Sequence, residues 1–177
     1  MKKLYALFSA MAITIALSGC GGTGTPAPSH TKEIPPAASS APVAPAEKEA
    51  TLTFYKVSED GRHIIPVKSK VKAKDYTAKT AITEMIRSDR NSKYLLLPSG
   101  VSLKNIHIEN GTATVNFTKE INSLKGETSE SLFIAMTVNT LTEFPTIKQV
   151  EFRAEGKPLQ FQTKMGQFKR DESYIAK

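Results

Sequence analysis

The amino-acid sequence predicts an α+β domain, in which a mixed, mostly antiparallel sheet is packed on one side by two helices. Short runs of alternating apolar and polar residues recur between positions 51 and 161, as expected of half-buried strands. Two longer segments carry apolar residues at helical spacing, and tight turn signals separate neighbouring runs. The predicted order is strand, strand, helix, strand, strand, helix, strand, strand.

The first half of this order begins with a strand pair. Residues 51–57 alternate and predict a strand, and Asp60-Gly61 is a turn signal. Residues 64–67 predict a short second strand, which Pro66 places at a sheet edge. Asp75 is predicted to cap a helix over residues 76–87. The buried face of that helix is predicted to hold Ala78, Ala81, Ile82, Met85 and Ile86.

The second half contains the clearest local signal, Asn110-Gly111 between two alternating runs. Both central residues of a type I′ hairpin turn need positive φ, which Asn and Gly tolerate best. A second helix is predicted over residues 129–144, where Pro145 ends it. Its apolar stripe is predicted to hold Leu132, Phe133, Met136 and Leu141. Residues 147–152 predict a further strand, and a turn at residues 155–158 leads into residues 159–161.

Two smaller features have alternative explanations. Asn139 is a polar residue in the apolar half of the second helix, and we expect it to bridge to backbone groups of a neighbouring loop. The run Leu95-Leu96-Leu97 could form an exposed contact patch, although burial in the core is the favoured interpretation.

The N-terminus has the pattern of an export signal. Lys2 and Lys3 precede a stretch without charge at residues 4–17, which ends in Leu17-Ser18-Gly19-Cys20. This end resembles the bacterial lipobox, in which cleavage between Gly19 and Cys20 makes the cysteine residue one and a diacylglycerol is attached to its thiol. The alternative is an ordinary secretory signal with a chance cysteine. We therefore expect residues 1–19 to be a lipoprotein signal peptide and the lipid on Cys20 to attach the chain to the extracytoplasmic face of a bacterial cell membrane.

Composition divides the remainder into three parts. Residues 20–50 are rich in Pro and Ala and predict a lipidated N-terminus and a disordered tether. Residues 51–162 predict the folded domain, and residues 163–177 a polar tail or frayed helix. The chain carries a formal net charge of +7, which could favour anionic lipid heads or wall polymers, although scattered surface lysines explain it as well. We expect no nucleic-acid partner.

Residues suited to chemistry are sparse. His30 lies in the tether, His63 lies beside a turn, and His107 alternates outward on a strand, so none has metal-ligand spacing. Cys20 is the only cysteine, which excludes internal disulfides and cysteine metal sites. No serine lies in a nucleophile elbow. We therefore expect no catalytic residues, no metal and no cofactor, although a carboxylate pair assembled by the fold stays open.

Several short motifs together resemble the GerMN domain family. They are Leu97-Pro98-x-Gly100-Val101, the hairpin Glu109–Phe117, Val138-Asn139-Thr140-Leu141-Thr142-x-Phe144-Pro145, Ile147-x-x-Val150 and Gly156-Lys157-Pro158. The motif positions that carry the resemblance are Leu97, Pro98, Gly100, Asn110, Gly111, Asn139, Thr140, Phe144, Pro145 and Gly156. They follow the family's order across about residues 51–161. The glycines suit turns and the prolines suit the ends of elements.

The resemblance implies an α/β domain similar to the ring-building modules of sporulation and secretion complexes. It further implies a protein of sporulation or spore germination that acts in a cell-surface assembly, with no catalytic residue to carry over. We expect a non-enzymatic module that binds another envelope protein or itself through a sheet edge near the Pro66 strand or the last strand. The alternative is a module that binds or hydrolyses cell-wall material, which would need a cleft with convergent titratable groups.

Overall fold

The computed structural model describes residues 48–162 and 166–177. Within these residues it has six strands and two α-helices, which confirms the predicted α+β class. The strands form a two-stranded and a four-stranded sheet, where the sequence predicted a single one. The predicted signal peptide, the cleavage site at Gly19, the lipidation site at Cys20 and the tether up to residue 47 lie outside the described residues.

Strands β1 (Glu49–Val57) and β2 (Ile64–Lys72) form the two-stranded antiparallel sheet. Strand β1 therefore begins two residues before the predicted start at Thr51, and β2 is longer than the predicted residues 64–67. Pro66 lies opposite Tyr55, whose N–H donates to Thr140 Oγ1 at 2.9 Å instead of to β2. Because this pair needs no donor from β2, the strand continues through the proline.

Helix α1 comprises Ala78–Arg90. Its N-cap is Thr77, whose side-chain oxygen accepts a hydrogen bond from Thr80 N at 3.1 Å. The predicted cap at Asp75 is wrong, since that residue lies in a separate 3-10 helix, Ala73–Asp75. The buried face of α1 is confirmed, because all five predicted residues are buried.

A buried carboxylate holds the loop after α1. Asp89 accepts hydrogen bonds from Leu96 N at 3.1 Å and Leu97 N at 3.0 Å. Burial is the largest influence on the pKa of Asp89 and raises it, whereas the two hydrogen bonds lower it. The Leu95–Leu97 run is therefore divided: Leu96 is buried, Leu97 is half-buried, and Leu95 is 65% exposed.

The four-stranded sheet has the order β3-β4-β5-β6. Its strands are β3 (Leu103–Glu109), β4 (Thr112–Phe117), β5 (Gln149–Ala154) and β6 (Lys157–Pro158). The predicted hairpin turn is confirmed, with φ of 48° at Asn110 and 79° at Gly111. Strands β4 and β5 are parallel, because the helix between them returns the chain to the same end of the sheet.

Helix α2 (Glu127–Leu141) is the centre of the domain. The sequence predicted a single apolar stripe, but the helix is buried on every side from Leu132 onward apart from Ile134. It contacts β1, β2, β5 and α1. The helix ends at Leu141, three residues before the predicted end at Phe144. Its buried polar residues, Thr137, Asn139 and Thr140, therefore face protein instead of water.

The described part of the predicted polar tail, residues 166–177, packs on the domain, so the tail prediction is wrong there. Phe168 is buried and its ring lies 5.3 Å from that of Phe152. The main chains of Phe168 and Val150 exchange hydrogen bonds of 2.8 and 2.9 Å. Ala176 N donates to Ile64 O at 3.0 Å. We call residues 166–177 the C-terminal strap.

Candidate functional site

The C-terminal strap is fastened by the Arg170 guanidinium. Nη1 donates to Glu143 Oε1 at 2.9 Å, Nη2 donates to the Tyr55 hydroxyl at 3.0 Å, and Nε donates to Glu172 Oε1 at 3.0 Å. The Tyr55 hydroxyl also donates to Glu143 Oε1 at 3.0 Å. The cluster joins β1, the residues after α2 and the strap, so it ties together three segments that are distant in sequence.

The cluster combines the Arg170 guanidinium with the Tyr55 phenol and the carboxylates of Glu143 and Glu172. Burial raises the pKa of the Tyr55 phenol, and its hydrogen bond from Arg170 works against that rise. For Arg170 the largest influence is burial, which lowers its pKa, but hydrogen bonds to Glu172, Tyr55 and Glu143 outweigh it and raise the pKa. The guanidinium is therefore charged at any physiological pH, and each of its three nitrogens donates to a protein acceptor, which indicates a fastening role.

Two motif residues of α2 make the other connections. Asn139 Nδ2 donates to Asp171 O at 2.8 Å, and Asn139 Oδ1 accepts from Asp171 N at 3.2 Å. This confirms the predicted bridge to a neighbouring backbone. Thr140 Oγ1 accepts from Tyr55 N and donates to Met136 O at 2.8 Å. Successive residues of α2 therefore bind the strap and β1.

A groove of about 550 Å³ runs between α2 and the strap. Ile134, Ala135, Val138 and Phe168 line its apolar part, and Gln149, Gln167, Lys169, Arg170 and Asp171 line its polar part. Arg170 is engaged as described, and the Asp171 carboxylate accepts from Ser173 N at 3.0 Å and from Ser173 Oγ at 2.6 Å. Both of these charged side chains are therefore bound to neighbouring protein groups.

The edge of β2 is poorly suited to pairing with another strand. Tyr55 N faces away from β2, so its partner Pro66 faces away from β1. Pro66 and every second residue of β2 therefore direct their backbone groups to the outer edge. Ile64 O there is already bonded to Ala176 N, and Pro66 has no donor. Lys68, Lys70 and Lys72 are exposed along the remainder. Proline and lysine are the residues that protect sheet edges from strand addition.

The edges of the four-stranded sheet differ in length. β6 has only two residues and includes Pro158, whereas β3 has seven. In the described residues no strand pairs with the outer side of β3. Five of its residues are exposed, including Ile108 at 44%. Since Glu109 and Thr112 flank the two-residue turn, the N–H groups of Ile106 and Ile108 face this open side.

The family-motif residues lie at junctions of the fold. Gly111 O accepts from Lys148 N at 2.7 Å, which joins the hairpin turn to the start of β5, and Gly156 N donates to Asn116 Oδ1 at 2.9 Å. The Phe144 ring contacts the Tyr76 ring in a tilted arrangement, with a centroid distance of 5.1 Å. Of the others, Leu97 and Pro98 are half-buried, Pro145 is exposed, and Gly100 has a positive φ.

The structure offers few groups for chemistry. The described histidines, His63 and His107, are exposed, while His30 lies outside the described residues. Nowhere in the described ranges do three His, Cys, Asp or Glu side chains meet in a group that could hold a metal ion. Across those ranges, too, no helix has the length and apolar character needed to cross a membrane.

Sequence reasoning missed Phe168, Arg170 and Asp171, the strap residues that complete the core and the polar cluster. Phe168 and Arg170 occur in a segment without strand or helix periodicity, so pattern analysis placed them in a tail. The one available signal was Asn139 in an apolar helix, which required an unidentified backbone partner.

Solved structures that share this fold include two of a sporulation protein. The tandem GerMN domains of the sporulation protein GerM from Bacillus subtilis are 21% identical, with a TM-score of 0.53, over 70% of this chain and 45% of that one. This chain therefore spans less than half of the tandem protein. The first GerMN domain of the same protein is 24% identical, with a TM-score of 0.53, over 66% of this chain and 91% of that one. No curated protein matches the chain.

The match to a family model covers most of the described domain. It extends over residues 51–160, more than half of the chain, and the family is described as Germane, sporulation and spore germination. The matched range runs from β1 through β6, whereas the C-terminal strap lies beyond it. The chain therefore belongs to the Germane family of sporulation and spore germination.

Proposed function

We propose that this chain is a lipid-anchored protein of the bacterial envelope whose Germane domain acts by contact with another envelope protein, in sporulation or spore germination. Family membership supports the biological setting. The lipobox-like Leu17-Ser18-Gly19-Cys20 run supports the anchor, and the Pro/Ala-rich residues up to 47 support a tether. The observation that carries the contact function is the open, exposed edge of β3.

The anchor is tested at Cys20. Replacing Cys20 by Ser removes the thiol that would carry the lipid, so the protein should move from the membrane to the soluble exported fraction. A salt wash removes molecules held only by charge. If the Cys20→Ser protein still pellets with membranes after this wash, the anchor is wrong.

The contact edge is tested with two matched variants. Ile108→Asp puts a charge on the open side of β3, where a partner strand would bring apolar and backbone groups. Leu95→Asp makes the same type of change at a leucine that is 65% exposed in a loop. Neither residue is buried, so both variants should fold.

We expect Ile108→Asp to abolish copurification of the partner with protein tagged after Lys177 from native membranes, while Leu95→Asp preserves it. Light scattering of the purified chain distinguishes self-association, which would appear as a concentration-dependent mass. Equal recovery of the partner with both variants would place the contact elsewhere.

The second candidate, a module for cell-wall ligands, is favoured by one observation, the groove between α2 and the C-terminal strap. Its volume lies within the range of small-molecule sites. Ser131→Trp would fill the groove from the half-exposed side of α2. A wall fragment that binds the parent chain but not the Ser131→Trp variant would favour the second candidate over the first.

A further inference from the structure

One face of the β1–β2 hairpin carries a row of lysines. Lys68, Lys70 and Lys72 are exposed, while the alternating Val67 and Val71 are half-buried against the domain. Residues two apart on a strand are separated by about 7 Å. The three amino groups therefore project from one side of an edge strand along roughly 13 Å. We call Lys68, Lys70 and Lys72 the lysine row.

The segments in and beside the row contain more lysines than acidic residues. Its cross-strand partners are Thr53, Thr51 and Glu49, so within the described hairpin Glu49 is the one acidic residue opposite the row. Glu49 lies 3.5 Å from Lys70, with side chains 65% and 80% exposed. A pair so open to solvent neutralises little of the row's field. Residues 48–49 and 68–75 together contain five lysines and two acidic residues.

The geometry of the edge favours a flat partner over a strand. Pro66 lacks a donor, Ile64 O is occupied by Ala176 N, and lysines oppose edge-to-edge pairing. What this side of the domain offers is an array of ammonium groups on flexible stems. Such groups attract an anionic surface without requiring a fixed arrangement of acceptors.

The chain enters the domain beside this row. β1 begins at Glu49, which lies opposite Lys72, and Cys20 precedes Glu49 by 29 positions. A flexible chain of that length spans roughly 30 Å r.m.s.. A lipid at Cys20, the anchor of the proposed function, would therefore keep the lysine row at high effective concentration near the membrane.

We propose that the lysine row docks the domain on the anionic headgroups of the membrane that holds its lipid anchor. This inference rests on the proposed function for the location of the membrane. Each basic residue close to an anionic bilayer strengthens binding roughly fivefold. Three together contribute roughly 100-fold, which salt reduces as the Debye length shortens.

The test uses the chain from residue 20 onward with Cys20→Ser, which carries no lipid. Its binding is measured by cosedimentation with vesicles of phosphatidylcholine alone and with equal parts of phosphatidylcholine and phosphatidylglycerol. The variant is Lys68→Gln/Lys70→Gln/Lys72→Gln. The control, Lys125→Gln/Lys157→Gln/Lys169→Gln, removes the same charge from exposed lysines elsewhere.

We expect the parent and the control to bind anionic vesicles, and the lysine-row variant to bind them roughly 100-fold more weakly. High salt should release the parent, and neutral vesicles should not bind it. Equal weakening in variant and control would overturn the proposal, because net charge alone would then explain binding. A parent chain that binds soluble polyphosphate but not anionic vesicles would overturn it in favour of an anionic polymer.

Because the assayed chain has no lipid, its result is independent of the anchor. A Cys20→Ser protein that leaves the membrane of living cells, combined with normal vesicle binding, supports both proposals. Membrane retention of that protein after a salt wash contradicts the anchor alone. Failure of the parent chain to bind anionic vesicles contradicts the lysine row alone.

Discussion

Asn139 of helix α2 binds the main chain of Asp171 as a neighbouring strand would, donating to its carbonyl oxygen at 2.8 Å and accepting from its N–H at 3.2 Å. The side-chain amide of an asparagine carries a donor and an acceptor side by side. Asn139 therefore binds both the N–H and the carbonyl oxygen of Asp171. Asn139 is fully buried. The strap is therefore docked by a polar residue at the centre of the apolar helix.

Replacing Asn139 by Ala should destabilise the domain by about 2–4 kcal/mol, since it removes two hydrogen bonds to the Asp171 main chain at a partly buried site. The denaturant midpoint measures the loss. Asn122→Ala is the control, because the Asn122 side chain is exposed and bonds only locally to Lys119 O at 3.0 Å. Similar midpoints for both variants would show that Asn139 does not hold the strap.

Arg170→Gln should loosen the strap selectively. The substitution removes the ion pair to Glu143, which is partly open to solvent, so the expected loss is only about 1–2 kcal/mol. Hydrogen exchange should accelerate across residues 166–177 while the β3–β4 hairpin keeps its protection. Lys169→Gln, one position earlier and exposed, should leave exchange unchanged. Uniform acceleration over the whole domain would contradict a local fastening.

Gly111→Val should destabilise the domain by about 1–3 kcal/mol, the usual cost of a strained backbone position. The reason is the φ of 79°, because the nearest atom to an added Cβ, Lys148 Cγ, is at an ordinary contact distance of 3.4 Å. Asn110→Gly at the neighbouring turn position, where φ is 48°, should cost far less. Thermal denaturation checks both, and an unchanged midpoint for Gly111→Val would refute the turn assignment.

Asp89 predicts a pH dependence of known sign. Burial raises its pKa in the folded protein above the ordinary value of 3.8. The folded state therefore holds this proton more tightly than the unfolded state, and the resulting stability is present below the ordinary pKa and lost as pH rises through the folded pKa.

At neutral pH, Asp89→Ala should destabilise the domain by about 1–3 kcal/mol, because two hydrogen bonds are lost. The destabilisation should be larger in acid. Urea titrations of both proteins across the acid range measure the difference, with exposed Asp75→Ala as the control. A destabilisation that grows toward neutral pH would reverse the assignment.

Local patterns predicted the elements well where the signal lies within one segment. The Asn110-Gly111 turn needs only the positive φ of two adjacent residues, and the buried face of α1 needs only helical spacing. The boundary of α1 was less accurate, because Thr77 and Asp75 are both good caps and the tertiary context selects between them.

The division into two sheets and the docking of the strap depend on long-range contacts. A helix buried on every side has no periodic polar face. The sequence of α2 therefore does not show that other elements pack against several of its sides. Arg170 acquires its role only when Tyr55 and Glu143 are brought beside it. For the candidate contact surface, the sequence favoured the Pro66 strand or the last strand, whereas edge length and backbone direction favour β3.

We propose that this domain works by contact through the edge of β3. The most direct test places a photoreactive amino acid at position 107, 108 or 95 of the full chain and irradiates intact cells. If a partner binds at the edge of β3, positions 107 and 108 give the same crosslinked species in the membrane fraction and position 95 gives none. Crosslinking from position 95 without crosslinking from positions 107 and 108 would contradict it.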